Sequence, residues 1–170
     1  MSAPGIEIVQ FDRSYDRSAF SCGKEELDDW LRRYAGQSER NNTTRTFLAV
    51  EGERIVGYYA TRTLQLDLDQ AASAFGMGKR RYPVPAILLA RLAAAITEQG
   101  KGVGKMLLVD ALRRMVEVSN SVGYEVIVVD AIDHEASTFY RRYGFQPFED
   151  DALHLFMTTR SLRATFAAVD

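Results

Sequence analysis

The segment Gln99-Gly100-Lys101-Gly102-Val103-Gly104 sets glycine at every second position and carries positive charge at Lys101 and Lys105. A helix that starts here presents backbone N–H groups with no partner inside the helix, together with a positive partial charge. Glycine omits the Cβ atoms that would keep a phosphate away from those amides. The natural guest is a pyrophosphate. Two common pyrophosphate loops fail on particular residues. A Walker A loop needs glycine where Gln99 stands, and Ser or Thr where Met106 follows Lys105. The dinucleotide fingerprint needs glycine where Lys105 stands, and no first βαβ half surrounds the turn.

Other reactive side chains are few. Cys22 is the only cysteine and cannot form an internal disulfide; it suits a small buried residue beside a helix start better than a nucleophile. His134 and His154 are the only histidines, and neither lies in a catalytic pattern, so no strong general base is evident. No metal-ligand spacing occurs and no metal is expected. Acidic runs fall at 25–29 and 149–151, basic ones at Arg32–Arg33, Lys79-Arg80-Arg81, Arg113–Arg114 and Arg141–Arg142. Most read as solvated helix faces. The triplet at 79–81 stands out because it follows Gly76 and Gly78 and precedes Pro83 and Pro85.

The elements that must position the glycine turn follow from periodicity. Ile6–Phe11 reads as a strand. Lys24–Gln37 reads as one helix, with Leu27, Trp30, Leu31 and Tyr34 on its apolar face. Thr46–Val50 and Arg54–Leu68 read as a hairpin across Glu51-Gly52-Glu53. Gln70–Tyr82 reads as a loop. Ala86–Ala95 reads as a buried strand leading into the turn, and Gly102–Ser121 as an amphipathic helix leaving it. Tyr124–Ile132, His134–Tyr143 and Leu153–Thr159 complete the pattern as strand, helix and strand. This is a mixed α/β order around one central sheet, with no linker, so 1–170 reads as one domain.

Bulk properties agree. The 170 residues and 46% apolar content suit one domain with a real core. No apolar run is long enough to span a bilayer, and Met1–Gly5 does not open a secretory leader, so a cytoplasmic protein is expected. A net charge of −2 excludes a protein that coats nucleic acid by charge alone, though not a local basic patch.

Gln99–Gly104 resembles the Q-x-x-G-x-G signature of the GNAT acetyltransferase superfamily. The likeness extends over most of the chain and is closest to the toxin branch of toxin–antitoxin pairs, which acetylates aminoacyl-tRNA. It is carried by Phe20-Ser21-Cys22-Gly23, Leu27-Asp28, Trp30-Leu31, Val56-Gly57-Tyr58-Tyr59, Pro83-Val84-Pro85, Leu89-Ala90-Arg91-Leu92-Ala93, Val129-Asp130-Ala131, Phe139-Tyr140 and Gly144-Phe145. The resemblance implies a single GNAT-like domain of α/β (α+β mixed) class, with a central, mostly antiparallel, twisted sheet flanked by helices. It implies that Leu92, Ala93 and Ala94 pair with the pantetheine arm of acetyl-CoA. Gln99, Gly100, Lys101, Gly102, Val103, Gly104 and Lys105 would cradle its pyrophosphate, Tyr140 would be the general acid, and Ser137 would lie within reach of the cofactor. The toxin branch usually carries an acid where this chain has Ala95, which leaves open whether activity is altered.

The chemistry is consistent. An α-amine, with a reference pKa of about 7.7–8.0, is partly neutral near pH 7, whereas lysine at about 10.4 needs a base that the chain does not display. Tyr140 could protonate a departing thiolate. The resemblance further implies an aminoacyl-tRNA substrate, a homodimer, and neutralisation by a ribbon-helix-helix antitoxin through which alone the pair reaches DNA. No membrane contact is implied. Candidate tRNA-binding residues are Lys79, Arg80, Arg81, Arg32, Arg33, Arg40 and Arg45, with Arg141–Arg142 as further basic groups. Two other functions remain open: a GNAT enzyme acting on a protein N-terminus or small amine, and a catalytically weak acyl-CoA-binding module.

Overall fold

The structure is a computed structural model that describes residues 5–67, 69–71, 83–149 and 151–169. In chain order it contains β1 (Ile6–Gln10), α1 (Glu25–Asp29), a π-helical turn (Trp30–Tyr34), α2 (Ala35–Arg40), β2 (Arg45–Glu51), β3 (Arg54–Leu66) and β4 (Val84–Ala94). A 3₁₀ turn (Ile96–Glu98) leads to α3 (Val103–Ser119), β5 (Val126–Asp130), α4 (His134–Arg142), β6 (Gln146–Phe148), β7 (Asp151–Thr158) and α5 (Thr159–Val169). The strands form one seven-stranded sheet in the order β1-β2-β3-β4-β5-β7-β6. β1 with β2, β2 with β3, β5 with β7 and β6 with β7 pair antiparallel, and β4 with β5 pairs parallel. This is the mixed, mostly antiparallel sheet with helices expected from the sequence. The chain forms two compact units, Met1–Arg62 with Ala90–Ala111 and Thr63–Leu89 with Leu112–Asp170.

The first unit holds the glycine turn. Leu31, Ala35, Leu48, Tyr58, Ala60 and Ala93 are buried in its core. Lys24–Gln37 does not form the single α-helix expected. The Ala35 N–H reaches back to the Trp30 carbonyl, widening one turn into a π-helix. The wide turn keeps Trp30, Leu31 and Ala35 all facing the core. Trp30 stacks on Tyr58 at 5.9 Å, and the Tyr58 hydroxyl donates to the Leu27 carbonyl at 2.6 Å. Asp28, also buried, accepts the Cys22 N–H at 2.8 Å. Burial and the neighbouring Asp28 push the Cys22 thiol up to about 11, which suits the structural role expected of it.

The second unit is built on β5, whose Val126, Ile127, Val128 and Val129 are fully buried. Such a continuous apolar run is what a strand covered on both faces requires. The β4–β5 ladder runs from Ala86↔Val126 to Leu89↔Val129, while β4 itself continues to Ala94. Two elements of this unit were not expected, β6 and α5. β6 is short and carries Pro147, which obscures its strand pattern. α5 buries Leu162, and Arg163 bonds to the Ser119 hydroxyl at 2.6 Å and the Asn120 side chain at 2.8 Å.

Candidate active site

Gly100 and Gly102 adopt φ of +81° and +87°, a left-handed conformation in which L side chains are strained. A Cβ on either would meet nothing within 4 Å, so the turn presents its backbone to open space. The first bond of α3 joins the Met106 N–H to the Gly102 carbonyl at 3.0 Å. The amides of Val103, Gly104 and Lys105 thus stand ahead of the helical ladder, as an anion site needs. Lys101 and Lys105 are exposed beside them, whereas the Val103 side chain is buried and anchors the helix start. The residues fit a pyrophosphate.

Gln99 belongs to the same turn, but its amide points at the protein. It donates to the Cys22 carbonyl at 2.8 Å and to the Ala94 carbonyl at 3.2 Å. The preceding residue, Glu98, is buried and pairs with Arg54 at 2.7 Å; Lys101 lies 3.7 Å from its other oxygen. The Arg54 guanidinium holds the Glu98 carboxyl below its ordinary range. The turn is therefore fastened on both sides, by Gln99 to β4 and by Glu98 to β3. Sequence reading missed Arg54 and Glu98, because an ion pair across 44 positions leaves no periodic trace.

Leu92, Ala93 and Ala94 lie on the part of β4 beyond its ladder with β5. A Cβ on Gly57 of β3 would lie 2.9 Å from the Ala93 carbonyl and 2.9 Å from the Leu107 side chain. Only glycine permits that approach, which sets β4 and the first turns of α3 against β3. Ala95 packs in the core and its N–H donates to the Val56 carbonyl at 2.8 Å.

Tyr140 and Ser137 lie one turn apart on α4 and are both buried. The Asp133 side chain caps this helix by accepting the Ala136 N–H at 2.9 Å. Tyr140 packs edge-on against Phe139 and Phe145. Burial raises its phenol well above the ordinary value, and the Asp130 carboxylate adds to the shift. Tyr140 therefore keeps its proton across the neutral range. The Ser137 hydroxyl donates to the Ala152 carbonyl at 2.6 Å, so its proton is engaged in holding α4 to β7. Asp130 and His154, cross-strand partners on β5 and β7, approach to 2.6 Å, and His154 stacks on Phe148 at 4.4 Å. This pair is not legible in the sequence, because its two members come together only through strand register.

The candidate tRNA-binding residues divide. Lys79, Arg80 and Arg81 lie outside the described residues. Arg32 and Arg33 extend from the π turn and pair with Asp28 at 3.8 Å and Asp29 at 4.0 Å. Arg45 pairs with Glu39 at 3.1 Å. Arg40, on the last turn of α2, is exposed. Among the described residues, no helix is long and apolar enough to cross a membrane.

Comparison with known proteins places this geometry. The model of the acetyltransferase (GNAT) domain matches residues 42–147, more than half of the chain. A tRNA-acetylating toxin of Mycobacterium tuberculosis (strain ATCC 25618 / H37Rv) is 38% identical over 151 residues, covering 88% of this chain and 89% of that protein. Two solved structures of the toxin AtaT are also similar. One is a tyrosine-to-phenylalanine mutant bound to the C-terminus of the antitoxin AtaR and acetyl-CoA (TM-score 0.82, 26% identity, 95% of this chain and 98% of that one). The other is complexed with acetyl-methionyl-tRNAfMet (TM-score 0.83, 26% identity, 95% and 99%). The chain thus belongs to the GNAT acetyltransferase family, as a homologue of a tRNA-acetylating toxin.

Proposed function

We propose that this chain transfers the acetyl group of acetyl-CoA to the α-amino group of an aminoacyl-tRNA and so arrests translation. The observation that carries the reading is the open, left-handed glycine turn at the head of α3, in a chain 38% identical to a tRNA-acetylating toxin. The amides of Val103, Gly104 and Lys105, with Lys101 and Lys105, hold the pyrophosphate. Gln99 positions that turn through its two carbonyl partners. Leu92, Ala93 and Ala94 offer main-chain groups to the pantetheine amides, and an N–H of this strand polarises the acyl carbonyl. Bound acetyl-CoA supplies the activated acyl group as a thioester. The acceptor needs no strong base, because an α-amine with a pKa of about 7.7–8.0 is partly neutral at physiological pH. As the nitrogen–carbon bond forms and the carbon–sulfur bond breaks, the nitrogen loses one proton to solvent, and Tyr140 gives its proton to the sulfur and recovers one from solvent. Ser137 holds the helix that carries Tyr140.

Such an enzyme works where charged tRNA is found, in the cytoplasm. It acts as a homodimer and is silenced by a ribbon-helix-helix antitoxin, which supplies the DNA contact of the pair. The direct test incubates the protein with labelled acetyl-CoA and either charged or uncharged total tRNA. Label on charged tRNA alone is expected. Label on neither, with acetyl-CoA binding intact, would move the acceptor to a protein N-terminus or a small amine.

A further inference from the structure

Arg17 and Arg40 converge on Gly36. A Cβ placed on Gly36 would lie 3.5 Å from Nη1 of Arg17 and 3.9 Å from Nη1 of Arg40. One methyl-sized volume would therefore touch both guanidinium groups. Arg13 lies on the rim of two hollows here, of about 370 and 350 Å³. The first is lined by Arg13, Arg17 and Arg32 together with Asp16, the second by Arg13, Gly36 and Arg40 together with Asp12 and Glu39.

Like charges brought this close repel unless an anion sits between them. The acids in these linings bond to groups other than the three arginines. Asp12 accepts the Ser14 N–H at 2.8 Å, and Asp16 accepts both the N–H and the hydroxyl of Ser18 at 2.9 and 2.6 Å. Glu39 takes Arg45 at 3.1 Å and the Thr46 N–H at 2.9 Å. Among the described residues, none of Arg13, Arg17 and Arg40 is ion-paired with a carboxylate. Arg17 is nonetheless held in place: it lies 5.1 Å over the Phe11 ring and donates to the Leu31 carbonyl at 3.3 Å. Two neighbouring guanidinium forks, one of them held in place and neither ion-paired, suit the oxygens of a phosphate.

We propose that Arg17 and Arg40, with Arg13 beside them, form a binding site for backbone phosphates of the RNA acceptor. The inference rests on the tRNA reading above. It answers a difficulty in that reading, since a chain of net charge −2 can hold RNA only through local clusters of this kind. The two open hollows sharing Arg13 suit successive phosphates of one strand.

Gly36 supplies the sharpest test. It is a buried position of α2, and the contacts of an added Cβ are ordinary van der Waals distances, so Gly36→Ala should fold and serves as the volume control for Gly36→Asp. Gly36→Asp places a carboxylate between the two guanidinium groups and should weaken uncharged-tRNA binding by about tenfold or more, while keeping the wild-type melting temperature. Gly36→Ala should stay within about twofold. Arg40→Ala should weaken binding by about fivefold and flatten the logarithmic salt dependence by about one unit. In every variant, turnover with a small aminoacyl amide and KM for acetyl-CoA should stay unchanged. Unaltered tRNA affinity and salt slope in both Gly36→Asp and Arg40→Ala would overturn the site. If the wild type acetylates charged tRNA while these variants match it, the acceptor reading stands and the site falls. If wild type binds tRNA through this cluster but never acetylates it, the site stands and the acceptor reading falls.

Discussion

The Gln99 side-chain amide donates to the Cys22 carbonyl at 2.8 Å, tying the glycine turn to a loop before α1. Its second bond, to the Ala94 carbonyl at 3.2 Å, fastens the same turn to the end of β4. The glutamine of this signature thus supports the turn from behind, and in the proposed binding mode the amides of α3 face the anion.

Gln99→Glu turns that support into repulsion, since a carboxylate cannot donate and would face two carbonyl oxygens. Losing these bonds and stranding their acceptors costs about 1–3 kcal/mol. For a chain of this size that is a fall in melting temperature of about 3–10 °C. Acetyl-CoA affinity should fall with it, and thermal unfolding with and without ligand measures both. Lost affinity at an unchanged melting temperature would mean that Gln99 touches the cofactor directly.

Gly57→Ala should be among the costliest single methyl additions in the chain. Its Cβ would stand 2.9 Å from the Ala93 carbonyl, a main-chain atom that cannot rotate away. Overpacking of this kind costs about 1–3 kcal/mol. Because the displaced strand carries Leu92–Ala94, KM for acetyl-CoA should rise more than stability alone would suggest. A stable variant with normal KM would show that β4 can move outward freely.

Much of this was legible in the sequence, for identifiable reasons. Val126–Val129 is a continuous apolar run and Val103–Ser119 an amphipathic one, so β5 and α3 follow from periodicity. The glycine turn was legible because its chemistry is local. The π turn at Trp30–Tyr34 was not, since one widened turn leaves the apolar spacing of the helix almost intact. Arg54–Glu98, Asp130–His154 and the Arg17–Arg40 convergence were invisible for a common reason. Each joins residues that only the folded chain brings together.

Gly102 separates backbone strain from charge. Gly102→Ala has room for its Cβ but must hold a left-handed φ of +87°, at a cost of about 1–2 kcal/mol. Gly102→Asp carries a comparable strain and adds a negative charge where the pyrophosphate is proposed to bind. The two variants should melt within a few degrees of each other. Gly102→Ala should retain measurable acetyl-CoA binding, and Gly102→Asp should lose it in isothermal titration. Equal affinities would remove the anion from this turn.

Tyr140 makes a prediction about pH. Burial, with Asp130 second, raises its phenol above the ordinary value near 10. Through pH 6–10 the group therefore stays protonated and ready to donate. The rate, expressed as kcat/KM, should rise as the α-amine loses its proton, with an apparent pKa of about 8, and then stay level to pH 10. Tyr140→Phe should lower kcat by about a hundredfold or more, leave acetyl-CoA affinity unchanged, and keep the same rising limb, since that limb belongs to the substrate. With the folded phenol harder to ionise than the unfolded one, its contribution to stability is complete below about pH 10 and is lost above it, as the unfolded chain ionises first. A wild-type profile that falls between pH 8 and 10, with the fall absent from Tyr140→Phe, would show the phenol titrating early and contradict its burial. Normal turnover in Tyr140→Phe would take the general-acid role from this residue.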